Sequence, residues 1–211
     1  MPSDGAAGPV RQARTRLART AVVEAARALF GERGYAGTTV EAISERADVS
    51  AATVYRLFSS KLGILTALLD FAVAGSEEAG DLASQPAARA LLAETDPVRQ
   101  LEGFAAICRA ANVRAAPHYR ILTSAAAADA DAAALLADRA AQRAAGQREI
   151  ARALAGAGAL RADVRERDAA GVIHALMSPE VFGLLVDDRG WPPRRYEQWL
   201  ARTLVDQLLP R

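Results

Sequence analysis

Apolar residues recur every three or four positions along most of the chain, a spacing that places them on one face of an α-helix. The stretch from about residue 14 to residue 33 shows this pattern, and Gly34 is well placed to end the helix that it predicts. Two stretches near the C-terminus, at about 166–186 and 193–209, have the widest apolar faces. The period of two that marks a half-buried strand is not found. The sequence therefore predicts an all-α fold.

A dense cluster of helix signals occupies the segment TTVEAISERADVSAATVYRLFSSK, which begins at Thr38. Thr38 and Glu41, three positions later, fit a capping box, so a helix is expected to begin at Thr38 or Thr39. Asp48 and the two residues after it break the apolar pattern, and Ser50 is a good N-cap for a second short helix. Two helices joined by a turn of three residues are typical of helix-turn-helix DNA-binding units.

The helical pattern continues through the rest of the chain with one loose segment. Ser60 is expected to cap a third helix, and residues 75–97 contain Gly and Pro at positions that interrupt regular structure. Further helices are predicted at about 97–116, in a short segment that starts at Pro117, and at about 130–157, 166–186 and 193–209, the last two joined as a hairpin.

These elements predict a flexible arm over residues 1–15, a DNA-binding domain over residues 16–76, and a second helical domain over residues 77–211. The helix-turn-helix itself is expected at about residues 39–58. Residues 1–61 carry nine Arg and Lys against six Asp and Glu, whereas the remainder carries seventeen against nineteen. A basic end on a nearly neutral body is the distribution expected of a protein that binds DNA locally.

DNA binding requires groups that hold phosphates and a helix whose first residues reach base edges. A helix N-terminus at Thr38 and Thr39 offers hydroxyls and free backbone N–H groups to a phosphate. Lys61, the sole lysine, lies in the first turn of a predicted helix, where a cation opposes the helix dipole unless a phosphate docks there. An exposed lysine without a special role is the alternative. The candidate DNA-binding residues are Thr38, Thr39, Ser50, Ala51, Ala52, Thr53, Tyr55, Arg56 and Lys61.

Composition argues against several other classes of protein. Cys108 is the only cysteine, so neither an internal disulfide nor a thiolate metal cluster is possible. Two distant histidines and no paired carboxylate motif argue against an enzyme, and no metal or cofactor is expected. No apolar stretch approaches the ~20 residues that cross a bilayer, and the first residues lack the apolar core of a signal peptide. The expected compartment is the cytoplasm, with no membrane partner.

The segment LFGERGYAGTTVEAISERADVSAATVYRLFSSK strongly resembles the DNA-binding domain of the TetR family of transcriptional repressors. The resemblance covers residues 16–76 and implies a three-helix DNA-binding unit. It implies phosphate-contacting positions for Thr39, Tyr55 and Lys61, and it places Arg56 with residues 50–53 on the recognition helix.

Three positions depart from the family pattern. Asp48 stands where the turn usually has Gly, Leu57 where His is common, and Leu62 where an acidic residue is common. Asp tolerates the left-handed backbone conformation, so Asp48 is a mild departure. Leu57 removes one possible DNA contact and suggests a different operator preference.

The resemblance also implies a homodimer and an effector site in the second domain. The closing segments MSPEVFGLL and RRYEQWLARTL are similar, less specifically, to the dimer-forming end of the family. The residues expected at that interface are Leu184, Leu185, Trp199 and Leu204. The candidate effector-pocket residues are Phe104, Cys108, His118, Tyr119, His174 and Met177, and their surroundings favour a moderately apolar small molecule. The expected function is a repressor that a small molecule releases from a palindromic double-stranded operator.

Other interpretations remain open at this point. At helical spacing, Phe104, Tyr119 and Met177 are more often core residues than parts of a ligand site, Cys108 is typical of a small core side chain, and the histidines are more often structural. Arg11, Arg14, Arg16 and Arg19 form either a solvated run or an arm that reaches the DNA. A helical protein-interaction scaffold without DNA binding, or a constitutive regulator without an effector, is the alternative function.

Overall fold

The computed structural model describes residues 7–75 and 86–210, with side chains from residue 12 onwards. The chain is helical over these ranges and contains no strand in them, as the apolar pattern predicts. The helices are α1 (Ala7–Arg33), α2 (Val40–Ala47), α3 (Ala51–Phe58), α4 (Lys61–Ala74), α5 (Pro86–Ala93), α6 (Pro97–Ala126), α7 (Ala130–Gly156), α8 (Glu166–Leu176), α9 (Pro179–Phe182) and α10 (Pro193–Leu208), with a π-helix over Gly183–Asp188.

Local side-chain caps set the ends of the N-terminal helices. Gly34 ends α1 in the left-handed conformation, with φ of +70°, as its position predicts. The Thr39 hydroxyl accepts from the Ala42 N–H at 3.1 Å and caps α2. The Ser50 hydroxyl accepts from the Thr53 N–H at 3.4 Å and caps α3 as predicted. Because α2 begins at Val40, with Thr39 as its N-cap, the capping box predicted for Thr38 is not formed.

The second half of the chain differs from the prediction at Pro117. The sequence predicts a helix that ends before this proline and a short one that starts at it, whereas α6 is continuous through Pro117. A proline inside a helix removes one backbone donor and crowds the carbonyl four residues before it, at a cost of ~3 kcal/mol. Ala115, Ala116, Tyr119 and Leu122 are buried on either side of it, so packing holds the two halves of α6 in one helix.

The helix predicted for residues 166–186 is interrupted near its middle. The Ser178 hydroxyl accepts from the Val181 N–H at 3.2 Å, and Pro179 occupies the first position of α9. Because both features favour a helix N-terminus, a new helix begins at this pair. The Asn112 side chain donates to the Met177 carbonyl at 3.0 Å and satisfies one acceptor that the break exposes. A Ser-Pro pair inside an amphipathic pattern therefore ends one helix and begins the next.

The described chain forms two compact units. The first runs to Asp70 and takes in Arg120–Ala134, and the second comprises Phe71–Tyr119 and Leu135–Arg211. The first unit buries Val22, Ala26, Leu29, Phe30, Ile43, Val54, Ile64, Leu65 and Leu68. The core of the second unit includes Leu101, Ala105, Ile150, Leu154, Ile173, Phe182, Tyr196, Leu200, Leu204 and Leu208. Helix α1 begins at Ala7, before the start predicted at about residue 14, so residues 7–15 are helical where the sequence predicts a flexible arm. The predicted domain limit at residue 76 stays a prediction, since residues 76–85, like residues 1–6 of the predicted arm, lie outside the described ranges.

Candidate nucleic-acid interface and effector cavity

Helix α3 has one buried side and one exposed side. Val54 and Phe58 are buried in the first unit, whereas Ala52, Tyr55 and Arg56 are exposed, Tyr55 to 46%. The small Ala52 side chain allows the helix to approach a DNA groove closely. The Tyr55 hydroxyl suits a phosphate contact, and the Arg56 guanidinium suits a contact with a base or a phosphate. Ser50 is also exposed, and Ala51 and Thr53 are half-buried. The predicted recognition residues therefore share one helix.

The turn between α2 and α3 is built by short polar contacts. Asp48 adopts a left-handed conformation with φ of +52°, and its N–H donates to the carbonyls of Ser44 and Glu45. The Ser44 hydroxyl donates to the Val49 carbonyl at 2.6 Å. These bonds satisfy backbone groups at the end of α2 and hold α3 in a defined direction.

The structure separates Thr38 from Thr39. Thr38 is fully buried, and its hydroxyl lies 2.8 Å from the Gly34 carbonyl and 3.2 Å from the Leu29 carbonyl, to which it donates. Thr39 is exposed at the N-terminus of α2. The phosphate-contacting role predicted for Thr38 is therefore wrong for its side chain, because that hydroxyl faces the end of α1. Thr39 keeps the exposed N-terminal position that a phosphate contact requires.

Lys61 has internal partners that the sequence does not reveal. Its Nζ donates to the Tyr35 carbonyl at 2.8 Å and to the Thr38 carbonyl at 2.9 Å, and it lies 4.2 Å from the centroid of the Tyr35 ring. Burial lowers the pKa of the Lys61 ammonium below the usual value, and the nearby Asp129 carboxylate acts in the opposite sense. Lys61 thus joins α4 to the segment before α2, whether or not it also meets DNA.

Sequence reasoning missed the packing role of Arg19. Its guanidinium lies 4.9 Å from the centroid of the Phe58 ring, and its Nη1 donates to the Leu57 carbonyl at 3.4 Å. Arg19 therefore supports the C-terminal end of α3 from α1. Arg14 and Arg16 are exposed, and the side chain of Arg11 lies outside the described residues.

The second unit contains a cavity of about 580 Å³, which is within the ~300–1,000 Å³ of typical ligand pockets. Its described lining is mostly apolar and comprises Val73, Ala88, Leu91, Leu92, Phe104, Ile107, Cys108, Ala111, Gln142, Arg143, Ala145, Gly146, Gln147, Glu149, Ile150 and Met177. Three of the six predicted pocket residues, Phe104, Cys108 and Met177, are in this lining. Arg143 and the two glutamines are lining residues that sequence reasoning did not select.

The other three predicted pocket residues lie elsewhere. Tyr119 is buried beneath the guanidinium of Arg143, and His118 is buried on α6. The His174 Nδ1 lies 2.6 Å from the Gln147 Oε1, on the side of α8 that faces a separate groove. Burial raises the pKa of the Cys108 thiol far above its usual range, so this cysteine is a neutral lining group and not a reactive thiolate.

Residues 22–68 match the model of the family described as bacterial regulatory proteins, tetR family. Over these residues the chain has a TetR-type DNA-binding domain. The match covers the helix-turn-helix whose geometry is described above, and it confirms the predicted TetR-type resemblance of this domain.

A curated relative supports the same N-terminal domain. The chain is 44% identical over 48 residues to the uncharacterized HTH-type transcriptional regulator YvkB of Bacillus subtilis. This match spans 23% of the present chain and 25% of YvkB, so it concerns about a quarter of each protein.

Solved structures extend the likeness in fold to nearly the whole chain. One is SmeT, the repressor of the Stenotrophomonas maltophilia multidrug efflux pump SmeDEF, in a complex with triclosan. It is 18% identical, with 92% of each chain covered and a TM-score of 0.68. NalD, the secondary repressor of the MexAB-OprM multidrug efflux pump in Pseudomonas aeruginosa, is 22% identical, with 91% of this chain and 96% of NalD covered and a TM-score of 0.67. Both likenesses extend over nearly the whole chain and therefore show a shared fold that includes the second unit.

The face predicted for dimerisation is only partly exposed. Leu184 is 58% exposed, and Leu185 and Trp199 are half-buried. Leu204 is fully buried in the core of its own chain, so the structure corrects its predicted place at an intersubunit surface. The Trp199 ring packs edge-on against Trp191, with 6.2 Å between centroids.

No group of three or more His, Cys, Asp and Glu side chains in the described ranges is arranged to hold a metal ion. No single described helix has the length and apolar character to cross a membrane, although two bent pairs, α3 with α4 and α8 with residues 179–188, pass by length and composition.

Proposed function

We propose that this protein is a homodimeric transcriptional repressor of the TetR family that binds a palindromic operator in the cytoplasm and is released by a small-molecule effector. The observation that carries the proposal is the exposed side of α3. Ala52, Tyr55 and Arg56 project from a helix whose start is capped and whose far side is buried. A dimer presents two such helices to successive major grooves, about 34–36 Å apart.

Operator binding is tested with duplex DNA from the region that flanks the protein's own gene. Fluorescence anisotropy should show salt-dependent binding, with a palindrome protected from nuclease digestion. Arg56→Ala should relax preference at a particular base pair by ~1–3 kcal/mol. Arg46→Ala is the matched control, because Arg46 is exposed in the same domain but pairs with Glu32 on α1 at 2.7 Å. The absence of any duplex binding would favour the scaffold alternative.

The cavity supports the effector part of the proposal. It has the volume of a small-molecule site, and the triclosan complex of the similar SmeT supports such a role for this fold. Helix α4 carries Lys61 at its start and Val73, a cavity-lining residue, near its end. A ligand that moves this helix would change the spacing of the two recognition helices, provided that it binds the two spacings with different affinity.

Calorimetry with and without operator tests this coupling. A coupling free energy of ~1–3 kcal/mol would weaken operator binding about 5- to 150-fold, and the operator would weaken ligand binding by the same factor. Equal ligand affinity in both titrations would contradict release by an effector and leave a constitutive repressor.

A further inference from the structure

The lining of the cavity in the second unit includes a positively charged side chain, Arg143, with which a purely apolar effector could not pair. Among its described lining residues, Arg143 and Glu149 are the charged ones, and Glu149 is exposed to solvent. Arg143 is half-buried on α7, close to the apolar side chains that form most of the wall. A guanidinium held against an apolar wall needs partners for its N–H groups.

The contacts of Arg143 leave part of its guanidinium without a protein partner. Its Cζ lies 4.8 Å from the centroid of the Tyr119 ring, so the aromatic face supports the cation. The Nε and Nη1 atoms are buried, and no hydrogen-bond acceptor among the described residues reaches either. Stacking fixes where the guanidinium lies, while its Nε and Nη1 donors have no acceptor among the described residues.

Two other arginines of the same unit, Arg109 and Arg114, donate to acceptors of the protein. Arg109 donates from Nε to the Glu197 carboxylate at 2.5 Å, and Arg114 donates to the carbonyls of Ala72 and Val73 at 2.8 and 3.1 Å. In contrast to these arginines, Arg143 has a ring contact, and its Nε and Nη1 have no acceptor within the part of the chain that the structure describes. A charged donor in this position is costly unless a ligand or solvent pairs with it.

The neighbouring polar groups of the cavity are already engaged. The Gln147 amide contacts the Met177 sulfur and the His174 Nδ1, and the Gln142 amide donates to the Asp138 carboxylate at 2.8 Å. Among the described lining side chains, the edge of Arg143 is therefore the polar group best placed to select a ligand.

We infer that the cavity binds an amphipathic carboxylate, with the carboxylate paired to Arg143 and an apolar body against Leu91, Phe104, Ile107 and Ile150. The planar fork of a guanidinium matches two carboxylate oxygens, which explains an arginine in a wall that is otherwise suited to hydrocarbon. This inference deepens the proposed function, on which it rests, by naming the chemical class of the effector.

The test compares matched acids and alcohols with the full chain in the absence of DNA. Octanoate against octan-1-ol, and 2-naphthoate against 2-naphthol, are titrated calorimetrically at pH 7. At least one acid should bind wild-type protein about 10- to 100-fold more tightly than its alcohol, the range expected when a charged hydrogen-bonded pair is gained. Binding of neither acid, or equal affinity for acid and alcohol in both pairs, overturns the inference.

Substitutions in α7 test whether Arg143 causes the preference for the acid over the alcohol. Arg143→Gln should remove the preference for acid over alcohol, and Arg143→Lys should retain part of it as a point charge. Arg152→Gln is the matched control, because Arg152 is an exposed arginine of the same helix outside the cavity lining. Thermal melting followed by circular dichroism checks that each variant folds. An acid preference that survives in a folded Arg143→Gln protein would also overturn the inference.

Operator DNA separates this inference from the proposed function. If an acid binds through Arg143 and the affinity for operator DNA stays unchanged, the result supports the carboxylate site and contradicts the proposal that an effector releases the protein from DNA. If the alcohols release the protein from the operator as effectively as the acids do, the result supports regulation by an effector and contradicts the inferred preference for a carboxylate.

Discussion

At the scale of single residues, two adjacent threonines have opposite environments. The Thr38 hydroxyl is buried against carbonyls of Leu29 and Gly34, whereas the Thr39 hydroxyl caps α2 at an exposed position. The two side chains are chemically identical, so the pair allows stability and DNA contact to be separated within one motif.

Valine substitutions at these positions should therefore act differently. Thr38→Val removes a buried donor and should lower the free energy of unfolding by about 1–2 kcal/mol, without changing the operator affinity of the folded protein. Thr39→Val removes an N-cap worth about 1 kcal/mol and should also weaken operator binding. Thermal denaturation and anisotropy are measured on both variants. Loss of operator affinity in a stably folded Thr38→Val protein would contradict this prediction and indicate that the Thr38 side chain contacts DNA.

Lys61 is predicted to serve both stability and DNA binding. Lys61→Met should lower the free energy of unfolding by about 1–2 kcal/mol, because the carbonyls of Tyr35 and Thr38 lose a charged donor. If Lys61 also contacts a phosphate, the substitution should weaken binding to all sequences and reduce the salt slope by roughly one unit. An unchanged slope in a destabilised variant would restrict Lys61 to its internal role.

At the scale of elements, the turn after α2 depends on a strained residue. Asp48 has a φ of +52°, a conformation that glycine adopts with less strain than other residues. Asp48→Gly is expected to preserve or raise the unfolding temperature. Asp48→Val should lower the free energy of unfolding by ~1–2 kcal/mol and therefore lower the unfolding temperature. Both are read by thermal denaturation. A stabilising valine would show that the turn does not require the left-handed conformation.

At the scale of the whole molecule, the proposed dimer is best tested at the exposed part of its face. Leu184→Glu places a charge on a side chain that is 58% exposed, so it should leave the subunit folded and give monomers in sedimentation. Leu204→Glu instead buries a charge in the core of the second unit and should unfold it. A Leu184→Glu protein that remains dimeric would place the interface elsewhere.

The parts predicted from sequence are those held by neighbours along the chain. Ser50, Gly34 and Ser60 act on groups within a few residues of themselves, so the ends of α1, α3 and α4 follow from local hydrogen bonds. The helix-turn-helix and the match of its domain to the tetR family model rest on this local information. Pro117 and residues 177–179 were predicted less well, because packing decides whether a proline ends a helix.

Distant contacts determined the remaining features of this protein. By itself, the sequence determined an all-α chain with a TetR-type DNA-binding domain near its N-terminus, since periodicity and capping are short-range properties. Tertiary packing decided that Thr38 and Leu204 lie inside, that Lys61 bonds to carbonyls more than twenty residues away, and that Arg143 stacks on Tyr119 beside a cavity. Which face of a helix is covered depends on segments far away in the chain, and no local pattern records it.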